Sequence, residues 1–165
     1  PEDVQMAEAL GHWIGEHHHS LVYGGVNAGL MHTVAQATAN AGGKVIGIVP
    51  ESFAHRVDAV CNEVIACHNL SDRKDIMIAK GDAYVCLPGG IGTIDEWIST
   101  LSQLIVDQQE NKKPIFAVNY NNMYDNLSAQ LCECASCQFA RGKNIDCTIV
   151  ANDTDELINL LNKNI

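Results

Sequence analysis

The chain has 165 residues, of which 47% are hydrophobic and 18% are charged, so its composition is that of a folded globular protein and excludes a disordered one. Ten Lys and Arg residues stand against twenty Asp and Glu residues, which gives a formal net charge of -10. This balance argues against DNA, RNA or an anionic membrane surface as the main partner, because phosphate backbones are bound by basic surfaces.

Short runs rich in β-branched residues alternate with helix-length amphipathic segments along the chain. Apolar side chains three and four residues apart mark the helices, and Gly or Pro ends many of the segments. In chain order the pattern predicts helix 2–18, strand 20–23, helix 28–41, strand 44–49, strand 63–67, helix 71–80, strand 83–87, a helix from about 93 to 106, strand 114–118, helix 122–138, strand 148–150 and helix 153–163. Residues 51–62 fit neither type of element.

This alternation predicts an α/β fold, since strands that follow one another through helices form parallel sheets. The strands are nearly continuous apolar runs, as expected when helices cover both faces of a sheet. We therefore expect one doubly wound, Rossmann-like, mostly parallel sheet in a single domain over 1–165. Such domains usually open with a strand, whereas this chain opens with a helix, so we expect that a first strand precedes Pro1.

Seven cysteines could indicate a disulfide framework, but the number is odd and several lie in strand-like runs. No signal peptide is recognisable, and no apolar run reaches the roughly 18 residues that a membrane span needs, so we expect reduced thiols and a cytoplasmic protein. Cys132, Cys134 and Cys137 do not share one face of the predicted helix. Ordinary thiols are therefore favoured over a zinc site, and we expect no metal.

The strongest local signal is Pro88-Gly89-Gly90-Ile91-Gly92-Thr93-Ile94-Asp95-Glu96, which follows a strand and opens a helix. The three glycines allow the backbone to approach a ligand closely, so that successive N–H groups can converge on an anion at the helix N-terminus. The alternative is a tight turn in which Thr93 and Glu96 form a capping box.

A second glycine-rich segment, with Gly24, Gly25, Gly29 and Met31, also lies between a strand and a helix. Alone it would predict only a turn. In a parallel sheet both loops belong at the carboxyl edge of the strands, and two glycine-rich loops at one edge favour a phosphate ligand.

Arg73 and Lys74 lie close to the start of a predicted helix that Ser71 is expected to cap. Cations in a first turn oppose the helix dipole by roughly 0.3 to 1 kcal/mol each, and a local conflict of this kind is typical of functional sites. An exposed ion-pair cluster with Asp72 and Asp75 is an equally good interpretation.

Taken in order, Gly-Gly-x-x-x-Gly-Leu-Met, Arg-Lys and Pro-Gly-Gly-x-Gly-Thr-x-x-Glu resemble the LOG family over essentially the whole chain. Many members of this family, long mislabelled lysine decarboxylases, are cytokinin riboside 5'-monophosphate phosphoribohydrolases. The chain departs from the family pattern at Leu70, where Met is usual, at His32, where Gly is common, and at Asp95, where Glu is frequent. No Lys lies in a setting that favours a pyridoxal Schiff base, which argues against a decarboxylase.

The resemblance implies hydrolysis of the N-glycosidic bond of a nucleoside 5'-monophosphate, either a cytokinin riboside monophosphate or AMP. Glu96 is the expected catalytic carboxylate, because a negative charge beside the ribose stabilises an oxocarbenium-like transition state. Arg73 is expected to anchor the leaving base or the phosphate, and Lys74 to add charge. The expected phosphate ligands are the two loops, with Gly24, Gly25, Gly29 and Met31 in one and Gly89, Gly90, Gly92 and Thr93 in the other. No cofactor is required.

Two alternatives remain. One is a non-catalytic carrier of a nucleotide-like cofactor, similar to the molybdenum-cofactor carrier proteins, which share the fold and a related loop. The presence of both Arg73 and Glu96 favours the enzyme, since a carrier needs no such carboxylate. The other alternative is a family member that has lost its activity.

The resemblance also implies a homodimer. Apolar residues at 97, 98, 101, 104 and 105 are explained by packing on a sheet. Ile94 and Met77 extend this apolar surface beyond what one sheet face covers, so we expect helices 71–80 and 93–106 to form the interface.

Overall fold

The computed structural model describes residues 1–107, 113–137 and 148–165. The chain divides into two compact units, Pro1–Gly81 and Asp82–Ile165. In both units the strands pair in parallel and are connected through helices, so the prediction of an α/β fold with parallel strands is confirmed. That the whole chain is one domain with a preceding strand stays a prediction.

The first unit contains a three-stranded sheet in the order β1-β2-β3. Ser20 pairs with Lys44 and Ile46 with Glu63 in its two parallel ladders. The central strand is buried from Val45 onwards, as its continuous apolar sequence requires. The elements are α1 (Glu2–Glu16), β1 (Ser20–Tyr23), α2 (Gly29–Asn40), β2 (Lys44–Pro50), a 3-10 helix (Glu51–Arg56), β3 (Glu63–Cys67) and α3 (Leu70–Lys80).

The second unit contains the sheet β4-β5-β6, also parallel, with Tyr84 opposite Ile115 and Ile115 opposite Thr148. All four side chains of its central strand are fully buried. Trp97 and Leu101 of the long helix pack into the core beside that strand. The elements are β4 (Tyr84–Cys86), α4 (Ile91–Asp107), β5 (Ile115–Val118), a 3-10 helix (Tyr120–Asn122), α5 (Asp125–Ser136), β6 (Thr148–Ala151) and α6 (Thr154–Asn164).

Strands 20–23 and 63–67 have the predicted bounds, and the other elements differ mainly at their ends. The prediction of one helix over 122–138 is wrong at its start. Asn121 and Asn122 have φ values of 51° and 59°, which no helix accommodates, so α5 begins only at Asp125. The predicted end of this helix at 138 lies outside the described residues.

No helix among the described residues is long and apolar enough to cross a membrane.

Candidate functional site

The first glycine-rich loop leaves β1 at Tyr23 and is shaped by close contact between two backbones. Gly25 has a φ of +67°, in the left-handed region that favours glycine. A Cβ at this position would lie 2.9 Å from the Cα of Gly47 in β2 and would overlap the Val49 side chain. The second glycine of the predicted Gly24-Gly25 pair is therefore required by the fold itself.

The segment after the 3-10 helix, which the sequence patterns left unassigned, holds this loop in place. The Asp58 N–H donates to the Gly25 carbonyl at 2.8 Å, and the Asn27 N–H donates to the Arg56 carbonyl at 3.3 Å. An isolated antiparallel bridge between Val26 and Val57 lies between these two bonds. The loop is therefore paired through its backbone with the short segment 56–58.

Asp58 is a residue of the first unit that sequence reasoning missed. Only 2% of its surface is exposed, and its carboxylate lies 2.8 Å from Nδ1 of His32 on α2. The Val60 N–H donates to the same carboxylate. A buried carboxylate needs such partners, and His32, which stands where the family pattern commonly has Gly, supplies one of them. Since 26 residues separate the pair, no local pattern could have revealed it.

Tyr23, the last residue of β1, is buried, and its hydroxyl lies 3.3 Å from Cys61 Sγ. Burial raises the pKa of this phenol strongly, and the neighbouring Cys61 and Asp58 raise it further. The phenol therefore remains neutral beneath the loop.

Three of the predicted site residues converge in the first unit. A Cβ on Gly24 would lie 3.2 Å from Nη1 of Arg73 and 3.5 Å from Sδ of Met31. The guanidinium and the thioether thus pack over a glycine whose missing side chain gives them room. Gly29, with a φ of +50°, begins α2, and a Cβ there would meet nothing within 4 Å, so it lies apart from this contact.

The start of α3 differs from the prediction. Asn69, not Ser71, is the N-cap, and its side-chain oxygen accepts from the N–H groups of Ser71 and Asp72 at 2.9 and 3.0 Å. The Arg73 N–H donates to the Asn69 carbonyl, so Arg73 makes the first backbone bond within the helix. Arg73 and Lys74 therefore follow the first turn, where the opposition of the dipole has weakened, and packing against Gly24 is the better reason to single out Arg73.

The second glycine-rich loop joins β4 to α4 in the second unit. The helix begins at Ile91, two residues before the predicted start, and its first backbone bond runs from the Ile94 N–H to the Gly90 carbonyl at 3.1 Å. The N–H groups of Ile91, Gly92 and Thr93 occupy the first turn, where a helix offers no acceptor of its own. Such a turn is suited to an anion.

Two sequence interpretations of this loop change with the geometry. Thr93 lies within the helix and is not its N-cap, so it is not the capping residue that the capping-box interpretation requires. Thr93 instead packs its hydroxyl end against Gly89. The Gly89 N–H, expected to bind a phosphate, donates to the Tyr124 hydroxyl at 3.1 Å.

Glu96 is half-buried on α4, and its negative charge acts on a buried thiol of the neighbouring strand. The pKa of the Cys86 thiol at the end of β4 is raised to about 12, first by burial and then by the negative charge of Glu96. The charge of Glu96 therefore acts on the end of the strand from which the loop departs. The predicted site residues thus fall into two sets, with Gly24, Met31 and Arg73 in the first unit and Gly89 to Glu96 in the second.

Comparison with known proteins gives the class first. Solved structures share the fold over nearly the entire chain: a molybdenum cofactor binding protein from Rippkaea orientalis matches with a TM-score of 0.73 at 24% identity, covering 99% of this chain and 88% of that one. The molybdenum cofactor carrier protein of Chlamydomonas reinhardtii matches with a TM-score of 0.75 at 22% identity, covering 98% and 86%. These likenesses establish a Rossmann-like α/β protein.

Sequence comparison then gives the family. A family model described as "possible lysine decarboxylase" matches residues 31–161. A cytokinin riboside 5'-monophosphate phosphoribohydrolase of Rhodococcoides fascians is 37% identical over 73% of this chain and 61% of its own length. One from Mycobacterium tuberculosis is 32% identical over 79% of this chain and 70% of its own length. The chain belongs to this family, the LOG family that its motifs resemble. It spans about six-tenths of the length of the Rhodococcoides relative.

Replacing Gly25 with Ala should destabilise the protein by roughly 2 to 5 kcal/mol, because the new Cβ adds overlap with β2 to the strain of a positive φ. Gly42→Ala is the matched control. Its φ is +83° but its Cβ would meet nothing within 4 Å, so only the backbone cost of about 1 to 2 kcal/mol is expected. Denaturant unfolding measures both, and equal losses would contradict the close approach of Gly25 to Gly47.

Proposed function

We propose that the protein hydrolyses the N-glycosidic bond of a nucleoside 5'-monophosphate, releasing a purine-type base and ribose 5-phosphate. The names of the relatives support this reaction, since they are called cytokinin riboside 5'-monophosphate phosphoribohydrolases. The observation that carries the proposal is the placement of Glu96. Glu96 is half-buried in the second turn of α4, directly after a helix start whose first-turn N–H groups suit an anion.

The 5'-phosphate is held by the N–H groups of Ile91, Gly92 and Thr93 together with the Thr93 hydroxyl. These donors are preorganised by the helix and need no metal to bind a phosphate. Gly90 exposes its backbone beside them. In the first unit, the Arg73 guanidinium packs over Gly24.

In the chemical step the bond between the ribose C1' and the base nitrogen breaks, and its electron pair leaves with the base. Positive charge develops on the ribose, and the Glu96 carboxylate stabilises it. A water molecule positioned by the same carboxylate adds its oxygen to C1'. The proton that this water loses balances the one that the departing base gains.

Arg73 acts as an anchor for the base or the phosphate. Its planar guanidinium can donate two parallel hydrogen bonds to an acceptor pair, and packing against Gly24 restricts the position of that guanidinium. Lys74, half-buried on the same helix, adds positive charge for an anionic substrate. We propose the cytoplasm as the location, where such nucleotides are present and thiols stay reduced.

Incubation with AMP and with isopentenyladenosine monophosphate, followed by chromatography for the free base, tests the proposal and the base preference together. Release of a base from either nucleotide is expected. Nucleotide binding without release would instead favour a carrier or a family member that has lost its activity.

Glu96→Gln should lower turnover at least about a hundredfold, because it removes the charge that stabilises the transition state while keeping the size of the side chain. Nucleotide binding should persist. The matched control is Asp95→Asn on the exposed neighbouring position, which should keep nearly normal turnover. Near-normal turnover in the Glu96 variant would limit that residue to a structural role.

Arg73→Ala should lower kcat/KM by roughly ten- to a hundredfold, the range expected for losing a hydrogen bond between charged groups. Its melting temperature should change little, since Asn69 and the helix backbone hold α3 independently of this side chain. Lys80→Ala removes a cation from the last turn of the same helix and should leave kcat/KM unchanged. A large drop in melting temperature for Arg73→Ala would indicate a structural ion pair instead.

We propose a homodimer in which α3 and α4 contribute to the interface. Met77 and Ile94, expected to be in excess, pack against the cores of their own units. The exposed apolar side chains that we propose for the interface are instead Ile91, Val106 and Leu70, which are 82%, 72% and 51% exposed. Light scattering at micromolar concentration should therefore give twice the chain mass of 17.9 kDa, and a stable monomer would contradict the dimer.

A further inference from the structure

Tyr124, at the end of the turn before α5, belongs to no motif of the family resemblance, yet its hydroxyl touches the second loop at two points. It donates to the Leu87 carbonyl at 2.9 Å and accepts from the Gly89 N–H at 3.1 Å. The residue between them is Pro88, which has no N–H to offer. One hydroxyl thus satisfies the backbone groups on both sides of the proline, where the chain has left β4 and has not yet entered α4.

The ring of Tyr124 is held firmly enough to act as an anchor. Only 1% of the residue is exposed, and its ring meets Trp97 edge to face at a centroid distance of 5.2 Å. Burial and, after it, the neighbouring Cys86 raise the pKa of the phenol. The hydroxyl therefore keeps the proton that it donates to the loop.

Asn119 fixes the backbone of Tyr124 in turn. Its side-chain oxygen accepts from the Tyr124 N–H at 2.8 Å, and its side-chain nitrogen donates to Asp125 at 2.7 Å. The Asn119 N–H donates to the Ala151 carbonyl at 2.7 Å, which ties the turn to β6. A continuous series of hydrogen bonds runs from the last strand to the glycine loop.

We propose that Tyr124 is a positioning residue that selects which N–H groups of the second loop bind the phosphate. By taking up the Gly89 N–H and the Leu87 carbonyl, it fixes the orientation of the peptides around Pro88, and the N–H groups of Ile91 to Thr93 are left to converge on the anion. Tyr124 does not touch the substrate. The inference rests on the proposed function, because it assigns the phosphate to this loop.

Tyr124→Phe keeps the ring in the core and removes only the hydroxyl, so the part-buried Gly89 N–H loses its partner. We expect the KM for the nucleoside monophosphate and the dissociation constant of ribose 5-phosphate to rise about tenfold or more, with a smaller change in kcat. Asn119→Ser, which loosens the same anchor without altering the tyrosine, should raise both constants in the same direction. Amide hydrogen exchange should show that Gly89 loses protection in both variants.

Leu161→Val is the matched control, since it trims a fully buried side chain of α6 in the same unit. It should lower the melting temperature without changing either constant. If the KM and the dissociation constant are unchanged in Tyr124→Phe, or rise no more than in Leu161→Val, the inference is overturned. In that case hydrolysis by the wild type would still support the proposed function. A wild type that neither hydrolyses nor binds the nucleotide would contradict both.

Discussion

The first loop depends on a contact between two backbones, in which Gly25 lies against Gly47 with no room for a side chain on either. Because this contact brings the end of β1 down onto β2, the Gly25 carbonyl reaches the Asp58 N–H and the next residues pair with 56–57. On the preceding residue, Gly24, the guanidinium of Arg73 and the thioether of Met31 meet. The arrangement of the first unit's candidate residues therefore follows from the absence of two Cβ atoms.

The two units hold their glycine loops by different physical means. In the first unit, backbone hydrogen bonds join the loop to residues 56–58, and the buried carboxylate of Asp58 pairs with His32. In the second unit, the Tyr124 hydroxyl alone bonds to the residues on both sides of Pro88. The proline itself has no N–H to donate. In both units, side chains that are themselves buried hydrogen-bond within or beside the loop region and restrain its backbone.

Local sequence patterns were sufficient wherever periodicity decides the structure. Strand 63–67 has its predicted bounds because a run of strand-forming residues is closed by polar turn residues on both sides. The motif of Gly89 to Glu96 was recognisable because its glycines and carboxylate stand close in sequence. The roles of Asp58 and Tyr124 could not be recognised in this way. Asp58 pairs with His32, 26 residues away, and Tyr124 bonds to Gly89, 35 residues away, so only the folded chain brings these residues together. The start of α3 was predicted wrongly for a smaller reason: both Asn69 and Ser71 are residue types that suit the N-cap, and the helix uses Asn69.

The side chain of Asn119 has a consequence for the chemical ageing of the protein. Its side-chain oxygen accepts from the Tyr124 N–H, and its side-chain nitrogen donates to the Asp125 carboxylate. Slow hydrolysis of that amide would turn the donor into a second carboxylate at hydrogen-bond distance from the first. Two like charges in a site where Asn119 is only 7% exposed repel each other, so one must take up a proton or the turn must open. Replacement of one side-chain nitrogen by oxygen at Asn119 would then loosen the backbone of Tyr124, whose hydroxyl contacts the loop.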